Sequence, residues 1–230
     1  WIYLMNSELI KRIITSFGLI VLLSLAFFYT YILIISLIIL SVISWIEFTA
    51  LISKIYKKKN IKVNFFRLII KATSLIYLIL FSSLIFNGVA HANPVFKIYI
   101  LYLFAICICS DVGGFVFGKI FKGKKLTKIS PNKTVSGSIG SFMLSLILVP
   151  IFYIFFKNSI YFFNLIFISI IVSLFCQLGD LFISYLKRRA KVKDTSNILP
   201  GHGGLLDRID GMLFAIPAGI VTWEFLIKSL

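Results

Sequence analysis

Long apolar runs broken by short, sharply polar segments set the pattern of this chain. Hydropathy read along it predicts seven membrane-spanning helices, over residues 10–29, 31–50, 68–88, 95–118, 138–156, 160–182 and 208–228. Several runs reach the roughly 20 residues that an α-helix needs to cross about 30 Å of hydrocarbon. The first two are separated by almost nothing. No repeat, low-complexity tract or long linker is visible, so the chain reads as one domain over 1–230. Met5, followed by a short polar segment, reads as a more natural initiator than Trp1. A cleaved signal peptide is not expected, because the first run lacks a small-residue cleavage site and more spans follow.

Composition agrees with the pattern. Hydrophobic residues make up 60% of the chain and charged residues only 14%, against about a quarter charged in soluble domains. The expected class is therefore an all-α polytopic integral membrane protein. Its three cysteines, Cys107, Cys109 and Cys176, all fall inside apolar runs. That argues for small hydrophobic packers rather than a disulfide framework or a zinc site.

The formal charge of +16 would point to nucleic acid in a soluble domain, but here topology accounts for it and no nucleic-acid partner is expected. With the N-terminus in the cytosol, the inward-facing segments hold 20 of the 24 Lys and Arg. They cluster at Lys11–Arg12, Lys54–Arg67, Lys119–Lys133 and Lys187–Arg208, which satisfies the positive-inside rule loop by loop. Attraction to anionic lipid headgroups is part of the same reading.

The eight acids tell more. They are Glu8, Glu47, Asp111, Asp180, Asp194, Asp207, Asp210 and Glu224. Five of them fall at or near the predicted cytosolic ends of spans four, six and seven. Carboxylates in spans are costly and by default functional. If span six continues as a helix, Gln177, Asp180, Ser184, Lys187 and Lys191 share one stripe. Asp207 and Asp210 share a face at the start of span seven. Two carboxylates from one helix and one from another suit Mg²⁺, a hard cation that completes its shell with waters and phosphate oxygens. Helix capping by Asp207 or Asp210 is the plainer alternative.

Between those helices lies Leu199-Pro200-Gly201-His202-Gly203-Gly204. Glycine-rich backbone at a helix start lets N–H groups approach phosphate, and His202 is placed to bind phosphate or move a proton. A second polar block, Ser110–Gly137, carries six lysines around Gly118, Gly123 and the turn Ser130-Pro131-Asn132. It reads either as a loop anchor or as a cradle for a triphosphate. Gly114, Gly118, Gly137, Ser141 and Ser145 are expected to permit close helix packing.

Taken together, these residues resemble a known family. Ser184, Lys187-Arg188, Lys193-Asp194, Ser196, Leu199-Pro200, His202-Gly203-Gly204, Asp207-Arg208 and Asp210 fit the pattern S-x-x-K-R-x4-K-D-x-[GSA]-x-x-[LIF]-P-x-H-G-G-x-x-D-R-x-D. That pattern is the mark of the phosphatidate cytidylyltransferases, or CDP-diacylglycerol synthases. Upstream, Asp111 to Lys119 and Ser130-Pro131-Asn132-Lys133-Thr134 resemble two further elements of the same family. Val135-Ser136-Gly137 departs from it, since Ser136 stands where the family usually has Glu. The chain also looks short, with seven spans where relatives often have eight or nine.

The resemblance implies the reaction CTP + phosphatidate → CDP-diacylglycerol + pyrophosphate. It implies Mg²⁺ held by Asp180, Asp207 and Asp210, with a monovalent cation beside it left open. Asp180, Asp207, Asp210, Lys187, Arg188 and His202 are the expected catalytic residues. Lys133, Ser184, Lys193, Gly203, Gly204, Arg208 and Asp111 are expected to bind the substrates' phosphates. Spans 10–88 would then be N-terminal and 95–228 catalytic, in a bacterial inner membrane with the site facing the cytosol. The bilayer and, from relatives, a homodimer are the expected partners. A CTP-dependent polyprenol or phytol kinase is the main rival, and a transporter a distant one. The denser motif of CDP-alcohol phosphotransferases is not continued after Asp210-Gly211.

Overall fold

The computed structural model describes residues 2–57, 60–91, 94–127, 129–131, 133–156, 160–201 and 203–227, with side chains described for most of them. The elements are α1 (Ile2–Phe28), α2 (Thr30–Ile55), α3 (Ile61–Phe86), α4 (Pro94–Phe121), α5 (Val135–Phe155), α6 (Phe162–Arg189) and α7 (Leu206–Ile227). A π-helical turn at Asn87–His91 follows α3. Among the described residues there are no strands, only isolated bridges pairing Lys125 with Thr134 and Leu199 with Gly203. Helices close their backbone hydrogen bonds within one segment, which hydrocarbon demands.

Each of the seven predicted spans falls on one helix. Among the described residues, α2 to α7 are each long and apolar enough to cross a membrane, and α1 contributes the apolar stretch Phe17–Phe28. The protein is thus an all-helical polytopic membrane protein. A single extended residue, Tyr29, separates α1 from α2. Several helices overrun the apolar runs that announced them. Helix α3 begins at Ile61 rather than near 68, and α6 continues to Arg189 rather than 182. Hydropathy sees only where apolar residues stop. Lys187, Arg188 and Arg189 occupy the last turn of α6, where cations complement the helix dipole and let the helix continue into polar sequence.

The chain divides into two compact units. One comprises Trp1–Ala90 with Leu186–Arg208; the other comprises His91–Tyr185 with Ile209–Leu230. The boundaries fall inside α6 and α7, so each of these helices belongs to both.

In the first unit, α2 and α3 are tied by polar contacts within an apolar surface. Ser41 and Ser82 share a hydrogen bond of 2.7 Å, and Trp45 Nε1 donates to the Lys71 carbonyl at 3.0 Å. Leu51, Ile52, Phe81 and Ile85 are buried there.

The second unit is built around α4, whose Tyr99, Ile100, Tyr102, Leu103, Ile106 and Cys107 are fully buried. Its hydroxyls find partners on two other helices, α6 and α7. Tyr99 donates to the Gly219 carbonyl at 2.6 Å, Tyr102 pairs with Ser169 at 2.6 Å, and Ser110 pairs with Ser173 at 3.0 Å. Ser141 on α5 donates back to the Ser110 carbonyl at 2.7 Å. Small residues let α4 and α5 touch through backbone, as expected. A methyl group added at Gly113 would lie 2.4 Å from the Gly140 carbonyl oxygen, and one at Gly137 would lie 2.6 Å from that of Gly114. The three cysteines are free, with Cys107 and Cys176 buried, which fits their role as packers.

Candidate active site

The polar segment between α6 and α7 belongs to the first unit and is built by three local devices. The first ends α6. Val192 N–H reaches back to the Lys187 carbonyl at 3.0 Å and Lys191 N–H to that of Arg188 at 3.1 Å. Lys191 takes a left-handed conformation at φ 57°, which completes a Schellman cap. The expected stripe on α6 therefore ends at Lys187. Lys191 lies beyond the helix, because the cap reverses the chain before it.

The second device is a tight bridge in which Leu199 and Gly203 exchange both backbone hydrogen bonds, at 2.9 and 3.1 Å. The turn it closes needs φ 74° at Gly201 and 82° at Gly203, values glycine adopts without a steric cost. The third is Asp207 in the first turn of α7. Its Oδ2 accepts from Thr195 N at 2.8 Å, Thr195 Oγ1 at 2.9 Å and Gly204 N at 3.2 Å. Its Oδ1 pairs with Lys187 Nζ at 2.7 Å, and the two side chains are only 13% and 8% exposed.

Helix α7 would otherwise start badly. The residue at its N-cap position is Leu205, which has no side-chain acceptor, and helix starts leave backbone N–H groups unpaired. Glu47, from the middle of α2 and 2% exposed, supplies what is missing. Its Oε1 accepts from Leu205 N at 3.0 Å and Ser196 Oγ at 2.5 Å. Its Oε2 accepts from Leu206 N at 2.8 Å and Thr195 Oγ1 at 2.9 Å. Gly204 is held between these groups: a methyl group there would lie 1.8 Å from Thr195 Oγ1 and 2.7 Å from Glu47 Oε2.

Pattern reading did not assign Glu47 a role. The available signal was a carboxylate inside an apolar run, which by itself calls for a partner. Capping was the plainer alternative for Asp207, and in this arrangement Asp207 does hold N–H groups at a helix start, alongside its lysine. Gly203 and Gly204 direct their N–H groups to Leu199 and Asp207, so these donors are engaged internally.

In the second unit, Lys133 forms an ion pair with Asp180, whose side chain is 32% exposed. Ser184 donates to the same carboxylate at 3.4 Å. Lys133 is presented by a narrow loop in which Leu126 N–H bonds the Lys133 carbonyl at 2.8 Å and Val135 N–H bonds that of Lys124 at 3.0 Å. Thr134 caps α5 by accepting from Gly137 N at 3.1 Å. Ser136, in the place of the family's usual Glu, donates to the Lys122 carbonyl and so staples the same loop. Ser138 donates to Gln177 Oε1 at 2.5 Å, while Gln177 Nε2 is buried without a partner.

Asp210 is buried, and its Oδ1 accepts from Gly211 N at 2.9 Å. A methyl group at Gly179 would lie 2.5 Å from the Asp210 carbonyl oxygen. Asp111 is exposed on α4, 3.7 Å from Cys176 Sγ.

Arg188, Lys193 and Arg208 are exposed in the first unit, as phosphate ligands or headgroup contacts would be. His202 lies outside the described residues. Among the described residues no group of three or more His, Cys, Asp or Glu side chains is placed to hold a metal ion. Each candidate carboxylate has its own partners instead. Asp180, partly exposed with a lysine and a serine on it, is a hard-oxygen donor that suits Mg²⁺. Asp207 has only Oδ1 in reach of a second cation, since Oδ2 already takes three donors.

Comparison with known proteins bears on these residues together. The chain is similar to the phosphatidate cytidylyltransferase of Staphylococcus haemolyticus, 47% identical over 121 residues, which are 52% of this chain and 46% of that protein. It is similar to the enzyme of the same name from Bacillus subtilis, 45% identical over 120 residues, or 52% of this chain and 45% of the relative. That from Staphylococcus aureus is 46% identical over 122 residues, with 52% and 46% covered. The chain spans about half the length of the curated relatives it matches. The model of the cytidylyltransferase family matches residues 4–226, nearly end to end, and the chain belongs to that family.

Proposed function

We propose that this chain transfers the cytidylyl group of CTP to phosphatidate, giving CDP-diacylglycerol and pyrophosphate. The observation that carries the reading is the family match over 4–226, which takes in both lysine–carboxylate pairs, together with relatives that carry this activity in their name.

A phosphate oxygen of the lipid attacks the α-phosphorus of CTP. The bond from that phosphorus to the bridging oxygen of the β-phosphate breaks, and pyrophosphate leaves with the electron pair. The nucleophile is already anionic, so the work lies in bringing two polyanions together and offsetting charge on the leaving group. Lys187 is presented on Asp207, and Lys133 on Asp180. Each carboxylate fixes its ammonium before phosphate arrives, and phosphate oxygens can then compete for it. Exposed Arg188, Lys193 and Arg208 add sequence-matched cations that steer the anions. Asp180 would hold Mg²⁺, which when bound neutralises phosphate charge as a Lewis acid. The positive-inside pattern of the cations supports a cytosolic site, where soluble CTP would meet a lipid whose tails stay in the bilayer.

The test uses the purified full chain in nanodiscs with phosphatidate and CTP labelled at either the α- or the γ-phosphate. Label from the α-position should enter chloroform-soluble lipid with release of pyrophosphate, and chelation of Mg²⁺ should abolish it. Asp180→Asn and Asp207→Asn should each lower kcat at least a hundredfold. Entry of the γ-label with release of CDP would instead make the protein a lipid kinase. No label in lipid from either position would end the proposal.

A further inference from the structure

We infer that Glu47, in the N-terminal half of the chain, is a positioning residue for the proposed reaction. It holds the segment Thr195–Leu206 in the shape that presents Asp207 and Lys187. This inference rests on the functional reading above and adds a residue that the family pattern does not contain.

The geometry is specific to a carboxylate. Four donors, Thr195 Oγ1, Ser196 Oγ, Leu205 N and Leu206 N, meet two oxygens, two on each. That is the full acceptor capacity of an ionised carboxylate. An amide of the same shape has one acceptor oxygen, and its NH₂ would face N–H and O–H donors. Two of the donors are N–H groups at the start of α7, where the helix dipole favours negative charge. The cap that Leu205 cannot give is delivered from a helix about 160 residues earlier in the chain.

The contact also runs on to the candidate catalytic carboxylate. Thr195 Oγ1 lies 2.9 Å from Glu47 Oε2 and 2.9 Å from Asp207 Oδ2, so one hydroxyl hydrogen is shared between the two acids. Gly204 is glycine because no Cβ fits between Thr195 and Glu47. Glu47, Thr195, Gly204 and Asp207 thus form one hydrogen-bonded set that runs from α2 to the start of α7. Helix α2 is therefore part of how the segment Thr195–Leu206 keeps its shape.

A positioning role has a kinetic mark. If loss of Glu47 leaves the segment ordered only a fraction of the time, nucleotide binding must select the ordered state. The apparent affinity falls by that fraction, while saturating nucleotide restores the rate. The experiment compares the full chain with Glu47→Gln, Glu47→Asp, Thr195→Val and the α2 control Ser41→Ala in nanodiscs. Amide hydrogen exchange is read on peptides covering 193–206 and on peptides from α4. Turnover of CTP with phosphatidate is read as KM and kcat separately.

Glu47→Gln should raise exchange at 193–206 at least tenfold with α4 unchanged. It should raise KM for CTP about tenfold with kcat within twofold of the parent. Glu47→Asp should recover part of both effects, Thr195→Val should reproduce them in weaker form, and Ser41→Ala should show neither. Unchanged exchange at 193–206 would overturn the inference. So would exchange raised equally in α4, or a fall in kcat at constant KM, since these mark general loss of fold. If the parent chain turns over no CTP, the reaction proposal fails, and local exchange at 193–206 alone decides whether Glu47 holds the segment.

Discussion

Replacing Asp207 by Asn tests the most demanding part of the arrangement, the nearly buried ion pair with Lys187. The carboxylate takes one charge-assisted bond on Oδ1 and three donors on Oδ2. An asparagine can keep its oxygen toward one set only. Its NH₂ then faces either the ammonium or the two N–H groups and the hydroxyl. With side chains 13% and 8% exposed, water does little to screen the loss, and breaking a buried pair from one side costs about 3–5 kcal/mol. Lys187→Met leaves Asp207 with its three other donors, so the loss is nearer the ~1.5–3 kcal/mol of one hydrogen bond to a charged group.

Asn at 207 should therefore destabilise more than Met at 187. The double variant should fall short of the sum of the two by about 1–3 kcal/mol. The measurement is reversible unfolding in mixed micelles, followed by far-UV circular dichroism for the parent, both single variants and the double. Equal single losses, or strictly additive ones, would refute the reasoning and reduce the pair to a surface contact.

Other outcomes follow from local geometry. Gly204→Ala should cost about 1–3 kcal/mol, as overpacking does, because its Cβ would displace Thr195 Oγ1 and Glu47; thermal unfolding in detergent reads the loss. Gly113→Ala should likewise weaken the fold, since its Cβ would lie 2.4 Å from the Gly140 carbonyl oxygen. Gly18→Ala, with nothing within 4 Å, should be neutral or slightly stabilising in the same assay. Lys191→Gly should stabilise by about 1 kcal/mol, because a non-glycine residue in the left-handed region carries a strain of that order. A lowered melting temperature for that variant would mean the Lys191 side chain makes a contact worth more than its strain.

The number and identity of the helices could be read in the sequence because membrane spanning is a one-dimensional constraint. An apolar run long enough to cross hydrocarbon closes its backbone hydrogen bonds as a helix. The same holds for the candidate residues. Asp180, Lys187, Gly203, Gly204 and Asp207 stand at fixed spacings in a polar segment, where hydrocarbon makes polar residues conspicuous. Helix ends were less legible. Arg189 and Ile61 extend helices beyond their apolar runs because backbone hydrogen bonding, helix dipoles and caps act on polar sequence too. Lys191 fell off the predicted stripe because a Schellman cap depends on one residue's φ, which periodicity does not register.

What each polar group bonds to was decided only by tertiary structure. Spacing alone made Glu47 an isolated acid in an apolar span and Leu205 an unremarkable leucine. Folding brings them together across a separation of 158 residues, so that one supplies the cap the other lacks. Lys133 and Asp180 lie on different elements, and no local pattern pairs them. Local sequence dictated which segments cross the membrane, since that depends on each segment's own transfer free energy. Which charges neutralise which, and which N–H groups are already taken, depends on distances between segments, and those exist only once the helices have packed.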